Sequence, residues 1–582
     1  MIGRGQLSVS AAVEIAQGIS EDVDLPDGAI KAFASLGSNG DHPQNCERDL
    51  HRWLRNLYGF KLEPYKISVE LNVGGKKKRT VSLPVLLPHE VLHMISASPF
   101  VFDSVWLGCL DDVSRYQFWG HIKTLSPWKN HPILQSDVDL ARLIGVNIHG
   151  DGAVMKRDDE CFVWSVSSCF ASSGPIQDPL MMKFAVAIVH ERFMLSKQVQ
   201  KNVNAEIAKL IAWSLHYASL GTAPTQGYYG EPFPPNSYRS EMAGKELANG
   251  WKACYFACKA DLKARKYMRN FRRYYLCAQL CDTCLASTRK GTPDAMHAGN
   301  YNADAAWRLT VLDHDTYVAM ENPDTVSPFS LIEGFNVETV AYDFLHQIYL
   351  GTARDLIASG VRTLILRGAY DHLQSDDLDT ILDVVQKEMH NDCASNGSYL
   401  PCKPVLCTAS IGGLSDYAEM SSRYKASTIK LMVWWLAMKT SAIAEHSEDT
   451  VLQVLATCAW SLQRVVEIQD SGGMVLTQTD ANDAGDLLRL HIKAFVWLAL
   501  YFKPRKLWLF KIRPKTHYNF HMAERLKLWR VNHNILDTFQ DESYLGKLKS
   551  IALKAHGGTM VLRVMQRYLL TLALYMHHYQ SD

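Results

Sequence analysis

Three β-rich runs that follow one another along the chain place the strongest constraint on its fold. They are LIGVNIHGDGAVMK (143–156), ECFVWSVSSCF (160–170) and KFAVAIVHERF (183–193), separated by Asp/Gly or Ser/Gly breaks. The amphipathic run VNAEIAKLIAWSLHYASL (203–220) then predicts a helix. A further run, GWKACYFACKAD (250–261), is apolar on both faces, which predicts a strand in the middle of a covered sheet.

This order, three strands followed by a helix and a central strand, is that of the ribonuclease H core. We therefore predict an α/β fold with a ribonuclease-H-like mixed sheet, in which FNVETVAY (335–342) is the fifth strand. From about residue 345 to 510 the pattern becomes amphipathic helix, which predicts a large α-helical insertion. Helix and hairpin patterns before residue 140 predict an N-terminal α+β region.

The length of 582 residues exceeds what one compact core accommodates, so we expect about two to four folded modules. The changes of pattern define five segments. These are a flexible N-terminal segment (1–45), an N-terminal α+β region (46–140), the core with the first two acids (141–345), a helical insertion (346–510) and C-terminal helices that complete the core (511–582).

Charge and cysteine content bound the environment of the chain. Its 61 Lys and Arg against 60 Asp and Glu give a formal net charge of +1, so any basic surface has to be local. Thirteen cysteines without an apolar secretory signal predict a reducing compartment, nuclear or cytoplasmic, and thiols that are free or metal-bound. The apolar runs are shorter than the roughly 18 residues a membrane span needs, so we expect no membrane partner.

Two aspartates occupy the positions that nuclease chemistry requires in such a sheet. Two-metal phosphoryl transfer needs carboxylates that converge on Mg²⁺ or Mn²⁺ ions. In a ribonuclease H sheet the first acid lies on the first strand and the second at the end of the neighbouring fourth strand. Asp151, in HGDGAV, and Asp261, at the end of GWKACYFACKAD, match these places, and the glycines beside Asp151 leave room for a phosphate or metal. Either aspartate alone would more often be a turn or cap residue, but the pair favours an active site.

The third acid is expected on a late helix. Glu542, in FQDESYLGKLKSIALKAH, falls in line with Leu545 and Ala552 on the inward stripe of that helix, while Asp541 fits the capping role. A carboxylate on a buried stripe is costly unless it is paired or binds a metal. The alternative is a first-turn glutamate that interacts with the helix dipole. Glu467, near a helix end, is the second candidate.

A cluster of cations follows the second aspartate. Phosphates need cations and unstacked bases favour aromatic faces, so the segment that includes RNFRRYY (269–275) is the best candidate for nucleic-acid contact, although a solvated helix has the same pattern. The predicted DNA-binding residues are Lys263, Arg265, Lys266, Arg269, Arg272 and Arg273.

Cysteines and histidines supply candidate zinc ligands. Cys281 and Cys284 form a Cys-x-x-Cys, which is half of a typical zinc site, and His297 and His346 are candidate donors for the other half. Buried core cysteines are equally compatible with this pattern. His517 and His521, one helical turn apart, could bind a metal or DNA phosphates, with plain helix packing as the leading interpretation.

Four features in order resemble eukaryotic cut-and-paste DNA transposases of the CACTA class and, more loosely, the hAT and Kyakuja-Dileera-Zisupton groups. The likeness runs from about residue 85 to 570. Its features are HGDGAV around Asp151, Asp261 followed by Cys281-Asp-Thr-Cys284, Asp343-Phe-Leu-His346, and RPKTHYNFH followed by FQDESYLGKLK. The last segment has Asp-Glu-Ser where the family pattern has Phe-Glu-Arg.

The resemblance implies a ribonuclease-H-like Asp-Asp-Glu enzyme that cleaves and transfers DNA strands at transposon ends, with Asp151, Asp261 and Glu542 holding Mg²⁺ or Mn²⁺. It also implies a structural Zn²⁺ on Cys281, Cys284 and His346. Transposon ends and target DNA would be the partners, and self-association is left open. The alternative is a catalytically inactive descendant that binds DNA or protein, favoured by the near-zero net charge and by the lack of a recognisable end-recognition module.

Overall fold

The computed structural model describes residues 7–22, 28–58, 61–73, 77–156, 159–322, 325–412 and 416–579. Over these ranges the chain is mixed α/β, as predicted, with one mixed sheet among many helices. The strands are β1 (Tyr65–Asn72), β2 (Lys78–Val85), β3 (Leu143–Lys156), β4 (Asp159–Ser168), β5 (Phe184–His190) and β6 (Lys252–Lys259).

The α-helices occupy most of the remaining chain. They are α1 (Val9–Asp22), α2 (Gly28–Ala34), α3 (Leu36–Asn39), α4 (Cys46–Tyr58), α5 (Pro88–Ile95), α6 (Pro99–Phe102), α7 (Asp112–Ile122), α8 (Pro179–Met182), α9 (Lys197–Leu220), α10 (Tyr238–Met242), α11 (Leu262–Arg269), α12 (His314–Met320), α13 (Ala353–Leu366), α14 (Leu378–Ser395), α15 (Ala426–Glu445), α16 (Thr450–Ser471), α17 (Gln478–Phe502), α18 (Pro514–Trp529), α19 (Phe539–Ala552) and α20 (Met560–His578).

The sheet has the order β1-β2-β5-β4-β3-β6. The three β-rich runs of the sequence form β3, β4 and β5, and β4 pairs antiparallel with both β3 and β5. β6 pairs parallel to β3, after the crossover through α9. The β1–β2 hairpin joins β5 through the pair Val85 and Ala187. Two of the six strands, β1 and β2, thus come from the region predicted as N-terminal α+β.

β6 lies at one end of the sheet and not in its middle, contrary to the prediction from its two apolar faces. Its residues are nevertheless almost all buried, because other segments cover it. Trp128 donates its indole N–H to the carbonyl oxygen of Phe256 at 2.9 Å, and Val340 forms a single parallel bridge with Cys258. The predicted fifth strand, 335–342, is reduced to that bridge and a 3₁₀ turn at Val337–Thr339.

The chain divides into two compact units whose boundaries differ from the predicted segments. The sheet unit comprises Met1–Asn270, Val326–Val340 and Gln540–Asp582, and the helical unit comprises Phe271–Thr325 and Ala341–Phe539. The helical unit therefore includes α12 and α18 as well as the predicted insertion. Of the predicted C-terminal segment, α19 and α20 alone among the α-helices belong to the sheet unit.

The sheet unit is built around a core of strands and helices. Ser196 caps the N-terminus of α9, since its hydroxyl accepts the N–H of Val199 at 3.2 Å, and α9 buries Ile207 and Leu210 in that core. The predicted flexible segment 1–45 contains α1 to α3, because Val9 and Val13 pack in one apolar cluster with residues that include Leu570 of α20.

The helical unit contains helices and turns, and within its described residues no strand is present. Helices α15, α16, α17 and α18 pack each against the next along the chain. Asp449 and Thr477 cap the N-termini of α16 and α17 by accepting backbone N–H groups. Among all described residues, no helix combines the length and apolar character needed to cross a membrane.

Candidate active site and metal-binding residues

Asp151 and Asp261 come from adjacent strands of the sheet. In the parallel pairing of β3 with β6, His149 lies opposite Lys259. Asp151 follows His149 by two residues, and Asp261 follows Lys259 by two residues. Side chains two residues apart on a strand point to the same face, so Asp151 shares the face of His149. Asp151 lies in the middle of the long strand β3, whereas Asp261 lies just beyond the end of β6.

Helix α19 brings the predicted third acid to Asp151. One carboxylate oxygen of Asp151 and one of Glu542 lie within 4.8 Å of each other, and neither residue is buried. Oδ1 of Asp151 accepts the backbone N–H of Gly152 at 2.7 Å. A helix and a strand that are distant in sequence therefore place two carboxylates close enough to share a cation.

Asp261 has a different local role. It is the N-cap of α11, and its Oδ1 accepts the backbone N–H of Ala264 at 2.6 Å. Among the described residues, the groups whose donor atoms lie mutually within 4.8 Å include Asp151 and Glu542 but not Asp261. Asp261 therefore has the capping role that the sequence left open. A metal ion at Asp261 would have to compete with the backbone N–H of Ala264 for the carboxylate oxygen.

The glycine before Asp151 has a packing role rather than the predicted role of leaving room for a ligand. A Cβ on Gly150 would lie 2.6 Å from Cζ3 of Trp164 and 3.0 Å from a ring carbon of Phe162. Trp164 is the β4 partner of Gly150 and is fully buried. Gly150 therefore admits the aromatic rings of β4, on the opposite face of the strand from Asp151.

A buried ion network lies next to the carboxylates. Asp541, the neighbour of Glu542, has its Oδ2 2.5 Å from Nζ of Lys259 and 3.3 Å from Nζ of Lys183. Nδ1 of His149 lies 3.8 Å from Oδ1 of Asp541. All four side chains are buried, Asp541 completely. Asp541 thus forms buried ion pairs and does not have the helix-capping role that the sequence suggested.

The network shifts the pKa values of its members. Burial alone would raise the pKa of Asp541, but the positive charges of Lys183 and Lys259 hold that pKa below its ordinary value. Burial lowers the pKa of Lys183 to about 8, although the charge of Asp541 opposes this shift. Asp541 is therefore ionised at neutral pH and stays paired with an ammonium group.

The helical unit contains a second donor cluster of two cysteines and two histidines. Sγ of Cys284 lies 3.3 Å from Nε2 of His517, and Sγ of Cys281 lies 3.4 Å from Nε2 of His521. The two Nε2 atoms are 3.2 Å apart. All four residues are buried, and their donor atoms lie within 4.8 Å of one another. Cys-x-x-Cys thus finds its second half in the His-x-x-x-His of α18.

Surrounding groups orient these four donors. The contact of His517 Nδ1 with the carbonyl oxygen of Ala298, at 3.1 Å, requires a hydrogen on Nδ1 and leaves Nε2 to face the sulfur atoms. Backbone N–H groups two residues beyond each cysteine donate to the sulfur atoms, at 3.3 Å for Cys281 and 3.4 Å for Cys284. Burial raises the pKa of a thiol, but the hydrogen bond to Cys284 and the charge of His521 bring the pKa of Cys281 below its ordinary value.

His346 is not part of this cluster, contrary to what the resemblance implied. Its Nδ1 lies 2.5 Å from Oδ2 of the fully buried Asp343, which also accepts the hydroxyl of Thr538 at 2.6 Å. The other candidate, His297, bonds the backbone N–H of Gly299. Burial would raise the pKa of Asp343, but His346 and the Thr538 hydroxyl lower it. In the Asp-x-x-His segment the aspartate therefore orients the histidine ring.

The predicted DNA-binding cations fall into three groups. Arg265 and Arg273 are buried, and their guanidinium groups donate to backbone carbonyl groups, those of Val340 and Cys281 among them. Lys263 is half-exposed and lies 3.3 Å from Glu191, and Arg272 is exposed, 3.9 Å from Glu321. Lys266 is also half-exposed. The side chain of Arg269 lies outside the described residues.

The two buried arginines satisfy internal carbonyl groups and so do not reach a phosphate backbone in this structure. The local sequence did not show which of these arginines are buried, because burial of an arginine depends on segments that are distant in the chain.

The second candidate for the third acid, Glu467, lies on α16 in the helical unit. It forms an ion pair with Arg464 of the same helix and accepts the side-chain amide of Gln463 at 3.1 Å. It is substantially exposed. Among the described residues it belongs to no group of three or more candidate metal donors.

Another donor group lies where β4 and β5 pair. Nδ1 of His190 lies 2.8 Å from Oδ2 of Asp159 and 3.5 Å from Sγ of Cys161. Nε of Arg192 lies 3.4 Å from Oδ1 of Asp159. His190 thus pairs with one oxygen of the Asp159 carboxylate, and the Arg192 guanidinium lies near the other.

No model of a known protein family matches the chain, and no curated protein matches its sequence. What the chain does must therefore be inferred from the chemistry of these residues. Asp151, Glu542 and the cysteine pair were candidates from the sequence alone. The spacing of His517 and His521 was also visible in the sequence, but neither their approach to the cysteines nor the buried network around Asp541 was.

Proposed function

We propose that the chain is a transposase-like protein with a ribonuclease-H-like core that cleaves and transfers DNA strands in a Mg²⁺-dependent reaction. The observation that carries the proposal is the approach of Asp151 and Glu542, from β3 and α19, to within 4.8 Å. Two carboxylates this close repel each other unless a cation or a proton lies between them, and oxygen ligands of this kind suit Mg²⁺ or Mn²⁺.

The strand order supports a ribonuclease-H-like core. The part β5-β4-β3-β6 is an antiparallel meander followed, after the helix α9, by a strand parallel to the first. This is the order in which the first and fourth strands are neighbours, so that acids on the two strands can converge. The β1–β2 hairpin extends the sheet at the other end and leaves this arrangement unchanged.

Each acid then has an expected task. Asp151 and Glu542 would hold the metal ion, and Asp261 would join them if its carboxylate left the N-cap of α11. When bound, the metal activates the nucleophile and stabilises charge on the leaving oxygen. The nucleophile would be water in strand cleavage and a DNA 3′-hydroxyl in strand transfer. Of the predicted DNA-binding residues, Lys263, Lys266 and Arg272 keep side chains at least partly exposed for phosphate contact.

We also propose that the cysteine–histidine cluster holds Zn²⁺. Two sulfur and two imidazole donors are the ligand set of closed, structural zinc sites. The hydrogen bond from His517 Nδ1 to a carbonyl group is the kind of outer contact that fixes metal-binding imidazoles. Such an ion would join α18 to the segment that carries Cys281 and Cys284, which lies far from α18 in sequence, and so stabilise the helical unit.

DNA cleavage by the purified full-length chain tests the proposed activity. Supercoiled plasmid, or DNA that carries element ends, is incubated with Mg²⁺, with Mn²⁺ or with a chelator. We expect nicking or double-strand cleavage that depends on the divalent ion and disappears in Asp151→Asn. Arg464→Gln, a change on an exposed helix surface of the helical unit, serves as the control and should cleave like the parent. A parent chain that never cleaves under these conditions contradicts the proposal.

A second candidate function is a catalytically inactive, transposase-derived protein that binds DNA or protein. The observation that favours it is the N-cap hydrogen bond of Asp261, which commits the second acid to helix α11. Stable binding of DNA by a chain that cleaves with neither metal would support this alternative over the enzyme.

A further inference from the structure

We propose that Asp541 is a positioning residue, which through its buried ion pairs with Lys259 and Lys183 seats the start of α19 on the sheet and so holds Glu542 beside Asp151. The inference rests on the proposed function in one respect, that Asp151 and Glu542 bind a divalent cation. It assigns a role to three buried charged residues that the proposed metal-binding and DNA-binding sets do not use.

The first step is the arrangement of the charges along the chain. Asp541 precedes Glu542, Lys259 precedes Asp261 by two residues, and His149 precedes Asp151 by two residues. Strand periodicity places His149 on the same sheet face as Asp151. Three members of the network, His149, Lys259 and Asp541, thus lie on β3, β6 and α19, the elements that carry or directly precede the three candidate acids, and the fourth, Lys183, lies directly before β5.

The second step is the position of Asp541 in its helix. α19 begins at Phe539, so Asp541 and Glu542 both lie in its first turn. Backbone N–H groups of a first turn lack partners within the helix, and helix ends are held less firmly than helix centres. The 2.5 Å contact with Lys259 fixes this turn to β6, and the 3.3 Å contact with Lys183 fixes it to the residue directly before β5. Because both residues lie in the first turn of α19, its helical φ and ψ angles fix the backbone of Glu542 relative to that of Asp541.

The third step concerns energy. A buried ion pair is weak evidence for stability, since desolvation of the charges offsets their attraction, and apolar residues of similar size are often as stabilising. An ion pair with hydrogen bonds is directional, whereas an apolar contact is not. The ion pair therefore specifies one placement of the Asp541 carboxylate. Outer partners that orient metal ligands typically change metal affinity by about 10- to 100-fold when they are replaced.

The test compares Mn²⁺ affinity with stability in the full-length chain. Asp541→Asn removes the charge that pairs with both lysines. The triple variant Lys183→Met/Lys259→Met/Asp541→Leu replaces all three paired charges by apolar side chains, which buried ion pairs and triads often tolerate without loss of fold. Glu90→Gln is the matched control, because Glu90 forms a buried ion pair with Arg239, at 2.6 Å, elsewhere in the sheet unit. Asp151→Asn defines the Mn²⁺ binding that does not belong to the carboxylate site.

Three quantities are measured for each variant: Mn²⁺ affinity by paramagnetic resonance of the free ion, thermal unfolding, and hydrogen exchange of α19. We expect the triple variant to fold and to bind Mn²⁺ about 10- to 100-fold more weakly than the parent, with faster amide exchange in the first turn of α19. Asp541→Asn should show the same loss of affinity if it folds. Glu90→Gln should lose thermal stability yet keep the Mn²⁺ affinity of the parent.

The failures are distinguishable. If Asp151→Asn loses a Mn²⁺ site but both Asp541 variants keep it, the positioning role is wrong and the proposed metal site stands. If both Asp541 variants lose the fold while Glu90→Gln keeps it, the network is a folding element and the positioning role is also wrong. If the parent binds no more Mn²⁺ than Asp151→Asn, the carboxylate site itself is absent, and the inference falls together with the proposed function.

Discussion

His517 and His521 lie on successive turns of α18 with their Nε2 atoms 3.2 Å apart, and each faces the sulfur atom of one cysteine. Residues four apart on a helix share a face, which explains why both rings reach the same point. Two unprotonated imidazole nitrogens at this distance repel each other unless a hydrogen or a cation lies between them. The cluster is therefore the most direct prediction of a bound metal in the helical unit.

The first prediction is that the purified chain contains one tightly bound zinc ion in this cluster. Elemental analysis should find one equivalent in the parent and a large loss in Cys281→Ser and in His521→Gln, because each change removes one of four ligands. The Co²⁺-substituted parent should show thiolate-to-metal absorption, which should fall in Cys281→Ser. Cys254→Ser, which changes a buried cysteine of β6 in the sheet unit, is the control and should keep full zinc content. Stoichiometric zinc in Cys281→Ser would show that the ligand set is wrong.

The second prediction concerns pH and the buried carboxylate of Asp343. Its pKa is lowered below the ordinary value of 3.8, so folding is favoured by its ionised form. The contribution of Asp343 to stability is therefore fully present above that ordinary value and decreases as the pH falls towards the lower pKa of the folded chain. The free energy of unfolding should be higher for the parent than for Asp343→Asn at pH 7, and the difference should shrink below about pH 4. A difference that stays constant down to pH 3 would contradict the pairing of Asp343 with His346.

The third prediction uses two glycines of the sheet unit. Gly150→Ala should lower the free energy of unfolding by about 1–3 kcal/mol, because its Cβ would lie 2.6 Å from the buried ring of Trp164. Gly546→Ala, in the middle of α19 with open space around the added Cβ, should raise it by about 0.5–1 kcal/mol. Urea denaturation measures both. Equal effects of the two substitutions would show that Gly150 does not pack against β4 as described.

The regular part of the sheet could be predicted from the sequence, because strands β3 to β5 are dense in β-branched and aromatic residues and follow one another directly. The place of β6 was predicted wrongly. Two apolar faces indicate a covered strand, but they do not distinguish a central strand from an end strand whose edge is protected by Trp128 and Val340. Edge protection depends on contacts that are distant in sequence and leave no local periodicity.

In the candidate sites, too, local features could be predicted from the sequence and distant contacts could not. The spacing of donors within one segment was visible, as for Cys281 and Cys284 or for His517 and His521. The meeting of the two pairs was not, because more than two hundred residues separate them. Asp541 was interpreted as a helix cap, since its partners Lys183 and Lys259 come from β-strand segments far along the chain. A lysine at the end of an otherwise apolar run, as at Lys183 and Lys259, is the sequence signal that could have suggested an internal acid.

The central claim is that Asp151 and Glu542 form the metal-binding carboxylate site of a DNA-cleaving enzyme. The most direct measurement is Mg²⁺-dependent cleavage of supercoiled DNA by Glu542→Gln and by Glu467→Gln, side by side with the parent. Glu467 is the matched control, since it is an exposed glutamate on α16 that pairs with Arg464 of its own helix. We predict that Glu542→Gln abolishes cleavage while its unfolding midpoint stays that of the parent, and that Glu467→Gln cleaves like the parent. Undiminished cleavage by Glu542→Gln, or loss of cleavage in Glu467→Gln alone, would contradict the claim.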